Sequence, residues 1–218
     1  MTRQASVALV ALLSFAATFG ARAEMLRRFL ASPLVEEGSD PDGCTPALSG
    51  FGGPPHWQVR VERYLPDGKG LIEASHIPLP NRFPLCIADQ PVAKNAEVQL
   101  PFVAHDGGVA QTAGVVLRFA DPQDFYVAEA DALANRVRFI SIVNGERREI
   151  VSRALPIALG QAHTLKVKAD GETFGVALDG VPLFTAHDGG LISAGRFGVR
   201  SRADSRTVFG DLYVTVFN

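Results

Sequence analysis

Apolar and polar residues alternate with a period of two along most of this chain, the pattern of strands that bury one face and wet the other. Residues 135–143 show it strictly: Val137, Phe139, Ser141 and Val143 fall on one side, Arg136, Arg138, Ile140 and Ile142 on the other. Residues 113–120 form a largely apolar run that stops at Asp121-Pro122-Gln123-Asp124, where Pro122 cannot donate to a ladder, and residues 125–130 return from that turn. Asn144-Gly145 supplies two residues that tolerate positive φ, the signal of a tight hairpin into residues 146–152. The stretch 113–152 therefore predicts an antiparallel meander of four strands.

Further strands flank it. Trp57, Val59 and Val61 alternate with Gln58, Arg60 and Glu62, and residues 71–75, 83–87 and 97–104 follow. Pro101 inside the last of these predicts an edge position or a bulge, because a central strand uses its N–H. Beyond the meander, residues 162–169 and 172–179 pair through Asp170-Gly171, and Asp179-Gly180 turns the chain into 181–186. Residues 195–200 and 211–217 then close it. No segment sustains a 3.6-residue period. About a dozen short strands with Gly, Pro, Asn and Asp turns predict an all-β fold of two antiparallel sheets packed face to face.

The N-terminal residues change the picture. Residues 1–23 read as an export signal: Arg3, an apolar run over 5–19 and the small-residue site Ala21-Arg22-Ala23 predict cleavage after Ala23 and a secreted or periplasmic location. The run falls short of the roughly 20 residues that a membrane span needs, so no membrane anchor is expected. Residues 24–55 are punctuated from Pro33 to Pro55 by proline and glycine and read as an irregular arm, with at most a helical turn or two over 25–30. Residues 56–218 form the domain proper, expected as a monomer.

Without Arg3 and Arg22, 19 basic residues stand against 23 acidic ones, a net charge of −4 that gives no electrostatic reason to bind nucleic acid. The two cysteines, Cys44 and Cys86, are predicted to form a disulfide in an oxidising compartment; two unrelated buried thiols are the alternative. The closed loop of about 40 residues would contribute roughly 4 kcal/mol.

Candidate chemistry is sparse. Ser39-Asp40-Pro41-Asp42-Gly43 has the acid spacing of a calcium loop but no closing glutamate, so it reads as a solvated turn and no metal site is expected. Ala-His-Asp-Gly-Gly occurs twice, from Ala104 and from Ala186, each time in a position suited to a turn. Nucleophile elbows, zinc-protease helices, Cys-x-x-Cys pairs and phosphate-cradling loops are missing from the sequence. Glu129 and Asp131 are the only catalytic candidates: period two puts both on one face of a strand, as in jelly-roll glucanases, although Ala134 occupies the place of the third acid.

Several stretches carry a resemblance: Arg82-Phe83-Pro84-Leu85, Gly114-Val115-Val116-Leu117-Arg118-Phe119, Phe125-Tyr126-Val127, Ala132-Leu133, Asn135, Asn144-Gly145, and Gly195-Arg196-Phe197-Gly198-Val199 through Ala203-Asp204-Ser205. Together they resemble the concanavalin A-like, laminin-G-like jelly-roll family of exported bacterial proteins that includes the 3-keto-disaccharide hydrolase-type domains. Arg118, Tyr126, Ala132, Leu133, Asn135 and Ala203-Asp204-Ser205 match its pattern. Glu129 stands where that pattern has arginine, Asp131 where it has asparagine, and Arg200 and Arg202 where it has tryptophan and lysine.

The resemblance implies a concanavalin A-like jelly roll that binds carbohydrate or a cell-envelope glycan. Arg118, Tyr126, Asn135, Arg138, Arg202 and Asp204 are the expected ligand-binding residues, since planar hydrogen-bonders and aromatic faces suit sugars. Alternatives are a glycan hydrolase using Glu129 and Asp131 and a laminin-G-like protein-binding adhesion module. No cofactor is expected; calcium would enter only with the adhesion alternative.

Overall fold

The computed structural model describes residues 24–28 and 36–217; the export signal lies outside the described residues. In chain order the strands are β1 (Glu24–Arg28), β2 (Thr45–Gly50), β3 (Trp57–Val61), β4 (Lys69–Glu73), β5 (Arg82–Ile87), β6 (Ala96–Asp106), β7 (Thr112–Asp121) and β8 (Asp124–Asp131). They continue as β9 (Arg136–Val143), β10 (Glu146–Ala154), β11 (Ala162–Asp170), β12 (Thr173–Leu178), β13 (Val181–His187), β14 (Arg196–Arg200), β15 (Arg206–Phe209) and β16 (Leu212–Val216). They form two antiparallel sheets. One runs β13-β12-β11-β6-β15-β4-β3, with β16 beside β6 and β1 on β16; the other runs β10-β9-β8-β7-β14-β5-β2. The all-β sandwich expected from the alternation is present, and β7 to β10 are the meander.

One expectation needs correction and another is narrowed. The supposed irregular arm contributes two strands, β1 on β16 and β2 on β5, so residues 24–28 extend where a helical turn was allowed for. Both lie at sheet edges, where proline and glycine are tolerated because only one side of the strand is paired. The Cys44–Cys86 disulfide, with its Cα atoms 5.4 Å apart, ties the entrance of β2 to β5. Of the two positions expected for Pro101 the edge is ruled out and the irregular one stands: β6 pairs β11 on one flank and both β16 and β15 on the other, with residues 210–212 opposite Leu100 and Pro101. The missing donor falls at the junction between β15 and β16, where the Gly210 N–H donates to the Pro101 carbonyl at 2.7 Å.

The main core lies between the sheets and includes Trp57, Phe102, Leu117, Phe197 and Phe209, with Tyr126, Phe139 and Phe174 packed ring to ring at centroid distances of 4.6–5.5 Å. The seven-stranded sheet also buries its other face. Leu85, Ile87, Val116, Phe125, Val127, Ile140 and Ile142 have parity opposite to the core residues on their strands, Phe119 joins them because the bulge after Leu117 reverses the parity there, and all are at most 5% exposed. This second apolar face explains why β8 and β9 are buried on both sides, with Ile140 and Ile142 buried although they share a side with Arg136 and Arg138.

Candidate functional site

One row of residues crosses the whole outer face of the seven-stranded sheet. Ala47 pairs with Leu85, Leu85 with Arg200, Arg200 with Gly114, Gly114 with Glu129, Glu129 with Arg138, and Arg138 with Ser152. Gly114 has no side chain between Arg200 and Glu129; a Cβ there would lie 3.1 Å from the Arg200 Cβ. The Arg200 guanidinium spans that gap and donates to Glu129 Oε2. From the other side Arg138 donates through Nε to Glu129 Oε1 at 2.7 Å and through Nη2 to Asp131 Oδ2 at 2.9 Å. All four side chains are buried.

Burial alone would raise the Glu129 pKa. The charges of Arg200 and Arg138, and Arg147 beyond them, outweigh that and hold it down to about 2. A carboxylate so strongly ionised cannot protonate a leaving group near neutral pH, so Glu129 is not equipped to be the acid of a glycosidase. Asp131 is also engaged: its Oδ1 accepts the Ala134 N–H and its Oδ2 accepts Arg138.

Above this network the sheet curls. Gly145 and Arg147 at the start of β10 and Ser49, Gly50 and Phe51 at the end of β2 belong to opposite edges, yet they line one pocket of about 240 Å³ with Asn81, Phe83, Ile142, Arg200 and Arg202. The accumulated twist of a seven-stranded sheet is what brings its diagonal corners face to face. Gly50 makes the far corner possible: its φ is +85°, and a Cβ would sit 1.9 Å from the Asn81 carbonyl oxygen. The neighbouring Phe51 N–H donates to that oxygen at 3.1 Å, leaving the Phe51 ring 74% exposed at the rim. Inside, the Arg200 guanidinium lies 4.7 Å from the Phe83 ring centroid.

The residues expected from the sequence divide into three groups. Arg138 and Arg202 belong to this face: Arg202 lines the pocket and donates from Nε to the Pro80 carbonyl at 3.1 Å. Arg118 and Tyr126 are together but turned inward. Arg118 has φ +50° in the bulge that follows the Leu117–Tyr126 pair, and it donates to the carbonyls of Lys94, Leu191 and Gly171 while stacking over Phe174. Burial and the bond to Asp188 push the Tyr126 hydroxyl up to about 12. Asn135 and Asp204 organise loops: Asn135 accepts the Ile157 N–H, and Asp204 accepts those of Gly108, Val109 and Ala110.

The two His-Asp turns serve locally. His105 contacts Glu62 at 2.6 Å, and Asp188 accepts from Tyr126, Arg148 and the Gly190 N–H. Among the described residues no group of three or more His, Cys, Asp or Glu is arranged to hold a metal, and no helix is long and apolar enough to cross a membrane.

Sequence reasoning missed Ser49, Phe51, Asn81, Phe83 and Arg147. The available signal was Arg200, an arginine at outward parity that closes strand β14 after the apolar Phe197-Gly198-Val199 and that demanded a partner once buried. A wider depression of about 430 Å³ lies over β11 to β13, but its lysines are engaged, Lys166 with Glu97 and Lys168 over Phe217. The smaller pocket is therefore the better candidate, since it alone of the two gathers several hydrogen-bonding side chains around an aromatic wall.

No protein-family signature matches the chain. It is 33% identical over 79 residues to the levanase of Bacillus subtilis strain 168; the match takes in 36% of this chain and 12% of that enzyme, so the chain corresponds to a small fraction of the levanase's length. Among solved structures it is similar to the carbohydrate-binding module CBM66 from Bacillus subtilis, with a TM-score of 0.63 and 22% identity over 80% of this chain and 98% of that one. It is also similar to domain 4 of AbnA, an extracellular arabinanase from Geobacillus stearothermophilus solved in complex with arabinotriose. There the TM-score is 0.50 and the identity 12%, over 78% of this chain and 81% of that domain. These likenesses establish the fold, a two-sheet antiparallel jelly-roll sandwich.

Proposed function

We propose that this protein is an exported carbohydrate-binding domain whose ligand seats in the pocket between the curled corners of the seven-stranded sheet. The observation that carries this reading is the pocket itself. Its guanidinium groups from Arg147, Arg200 and Arg202 and its amide from Asn81 suit hydroxyl recognition, and the rings of Phe51 and Phe83 offer faces to a sugar ring. Its volume of about 240 Å³ suits one or two sugar residues better than the middle of a long polymer. The likeness to CBM66 and the resemblance to 3-keto-disaccharide hydrolase-type domains both point toward a saccharide ligand. The alternative of a hydrolase that uses Glu129 as its acid is disfavoured, because that carboxylate is held ionised.

In this reading the signal is removed after Ala23 and the domain works as a monomer outside the cytoplasm, where the Cys44–Cys86 bond persists. Residues 24–217 screened on a glycan array should retain saccharides, and Arg202→Ala and Phe51→Ala should each lose most of that signal while keeping the wild-type melting temperature. A folded domain that retains no glycan would remove the proposal.

A further inference from the structure

The charge of the pocket is out of keeping with the chain. Five arginines, Arg136, Arg138, Arg147, Arg200 and Arg202, meet three carboxylates, Glu129, Asp131 and Glu149, on the outer face of a sheet in a protein of net negative charge. Those carboxylates are spent on the floor and rim. Both oxygens of Glu129 and of Asp131 are taken, and Glu149 lies 3.9–4.0 Å from Arg136 and Arg138. Arg147 and Arg202 line the pocket above them; Arg147 feels the Glu129 charge only at longer range, and no ion pair within 4 Å is formed by either arginine among the described residues.

A second observation points the same way. Arg200 is 1% exposed and lines the pocket, yet its Nε–H has no hydrogen-bond acceptor. Buried donors are rarely left so, because the desolvation cost is unrecovered until an acceptor arrives. The guanidiniums also repel one another; burial and the charges of Arg200, Arg138 and Arg202 together outweigh the opposing charge of Glu129 and make the Arg147 cation harder to hold. An incoming anion would relieve that repulsion, and a small movement of the Arg200 side chain toward it would give the orphan donor an acceptor.

Resting on the carbohydrate-binding reading, we infer that the pocket selects a sugar residue carrying an anionic group, carboxylate or sulfate, held between Arg147, Arg200 and Arg202 with its ring against Phe83 and Phe51. Planar carboxylates match the guanidinium fork in a bidentate manner, and a hydroxyl at the same place would leave the cations uncompensated. A neutral sugar forgoes those charge-assisted bonds.

Isothermal titration of the intact domain with D-galacturonate beside D-galactose, D-glucuronate beside D-glucose, and galactose 6-sulfate tests this. The uronates or the sulfated sugar should bind about tenfold or more tightly than their neutral counterparts, since bonds to charged groups contribute about 1.5–3 kcal/mol. High salt should weaken that binding, and Arg147→Ala and Arg202→Ala, both at accessible positions, should each reduce it about tenfold without lowering the melting temperature. Preference between the uronates and the sulfated sugar names the anion. Equal, salt-insensitive binding of charged and neutral sugars overturns the inference and leaves carbohydrate binding standing; a folded domain that binds none of these sugars and no array glycan overturns both.

Discussion

Arg200 and Glu129 share one row of the seven-stranded sheet with only Gly114 between them, and the guanidinium closes the distance that the missing side chain leaves open. Gly114→Ala would place a Cβ 3.0 Å from Val127 Cγ2 and 3.1 Å from both the Cβ and the carbonyl oxygen of Arg200. These atoms are packed and cannot retreat freely. We expect a destabilisation of about 1–3 kcal/mol, seen as a lower guanidinium-chloride midpoint at unchanged slope.

The Glu129 network should set the acid limb of stability. Its folded-state pKa is depressed to about 2 from 4.5, so its contribution is present above pH 4.5 and is lost as pH falls toward 2. The shift corresponds to roughly 3 kcal/mol. Unfolding free energies measured between pH 6 and pH 2.5 should fall steeply in the wild type. In Glu129→Gln the same curve should start about 3–5 kcal/mol lower and be flatter, because Arg138 and Arg200 are left buried without their shared anion at every pH.

Loss of the disulfide should be felt at the pocket. Cys44 and Cys86 anchor β2, whose far end carries Ser49, Gly50 and Phe51. The Cys44→Ser/Cys86→Ser double variant should lose about 2–4 kcal/mol and weaken sugar binding. Native-state hydrogen exchange should place the new mobility along residues 45–51.

Arg118→Ala should separate structure from recognition. Three backbone carbonyls, those of Lys94, Gly171 and Leu191, would lose a charged donor, and the stack on Phe174 would go with it. A loss of about 3 kcal/mol or more is expected, with little rescue by Arg118→Lys, which cannot reproduce a fork reaching three acceptors. At a temperature where the variant is folded, its sugar affinity should equal that of the wild type.

Most of the architecture was legible in the alternation. The strict period of residues 135–143 became β9, and the hairpin signals Asn144-Gly145 and Asp179-Gly180 are present with positive φ at both residues of each pair. Edge strand β2 was hidden by its prolines and glycines, since backbone pairing at an edge asks little of side chains. Arg118 was misleading for a conformational reason: its bulge reverses the parity that a regular strand would give it, sending it inward. Apart from Arg202 the pocket was illegible, because Phe51, Phe83 and Arg147 come from separate strands and loops united by the curl of the sheet, which no local pattern encodes. Arg138 was recognisable as interesting, but its use as a buried partner of Glu129 and Asp131 depended on the register of β8 against β9.

The most direct measurement is to follow the arginine side-chain Nε–H resonances by NMR while titrating a bound saccharide. The orphan Nε–H of Arg200, together with those of Arg147 and Arg202, should shift on saturation, while the Arg118 resonance, held by the Lys94 carbonyl, should stay in place. Shifts confined to Arg118, or to residues over β11 to β13, with the three pocket arginines unmoved, would contradict recognition at the curled corner of the seven-stranded sheet.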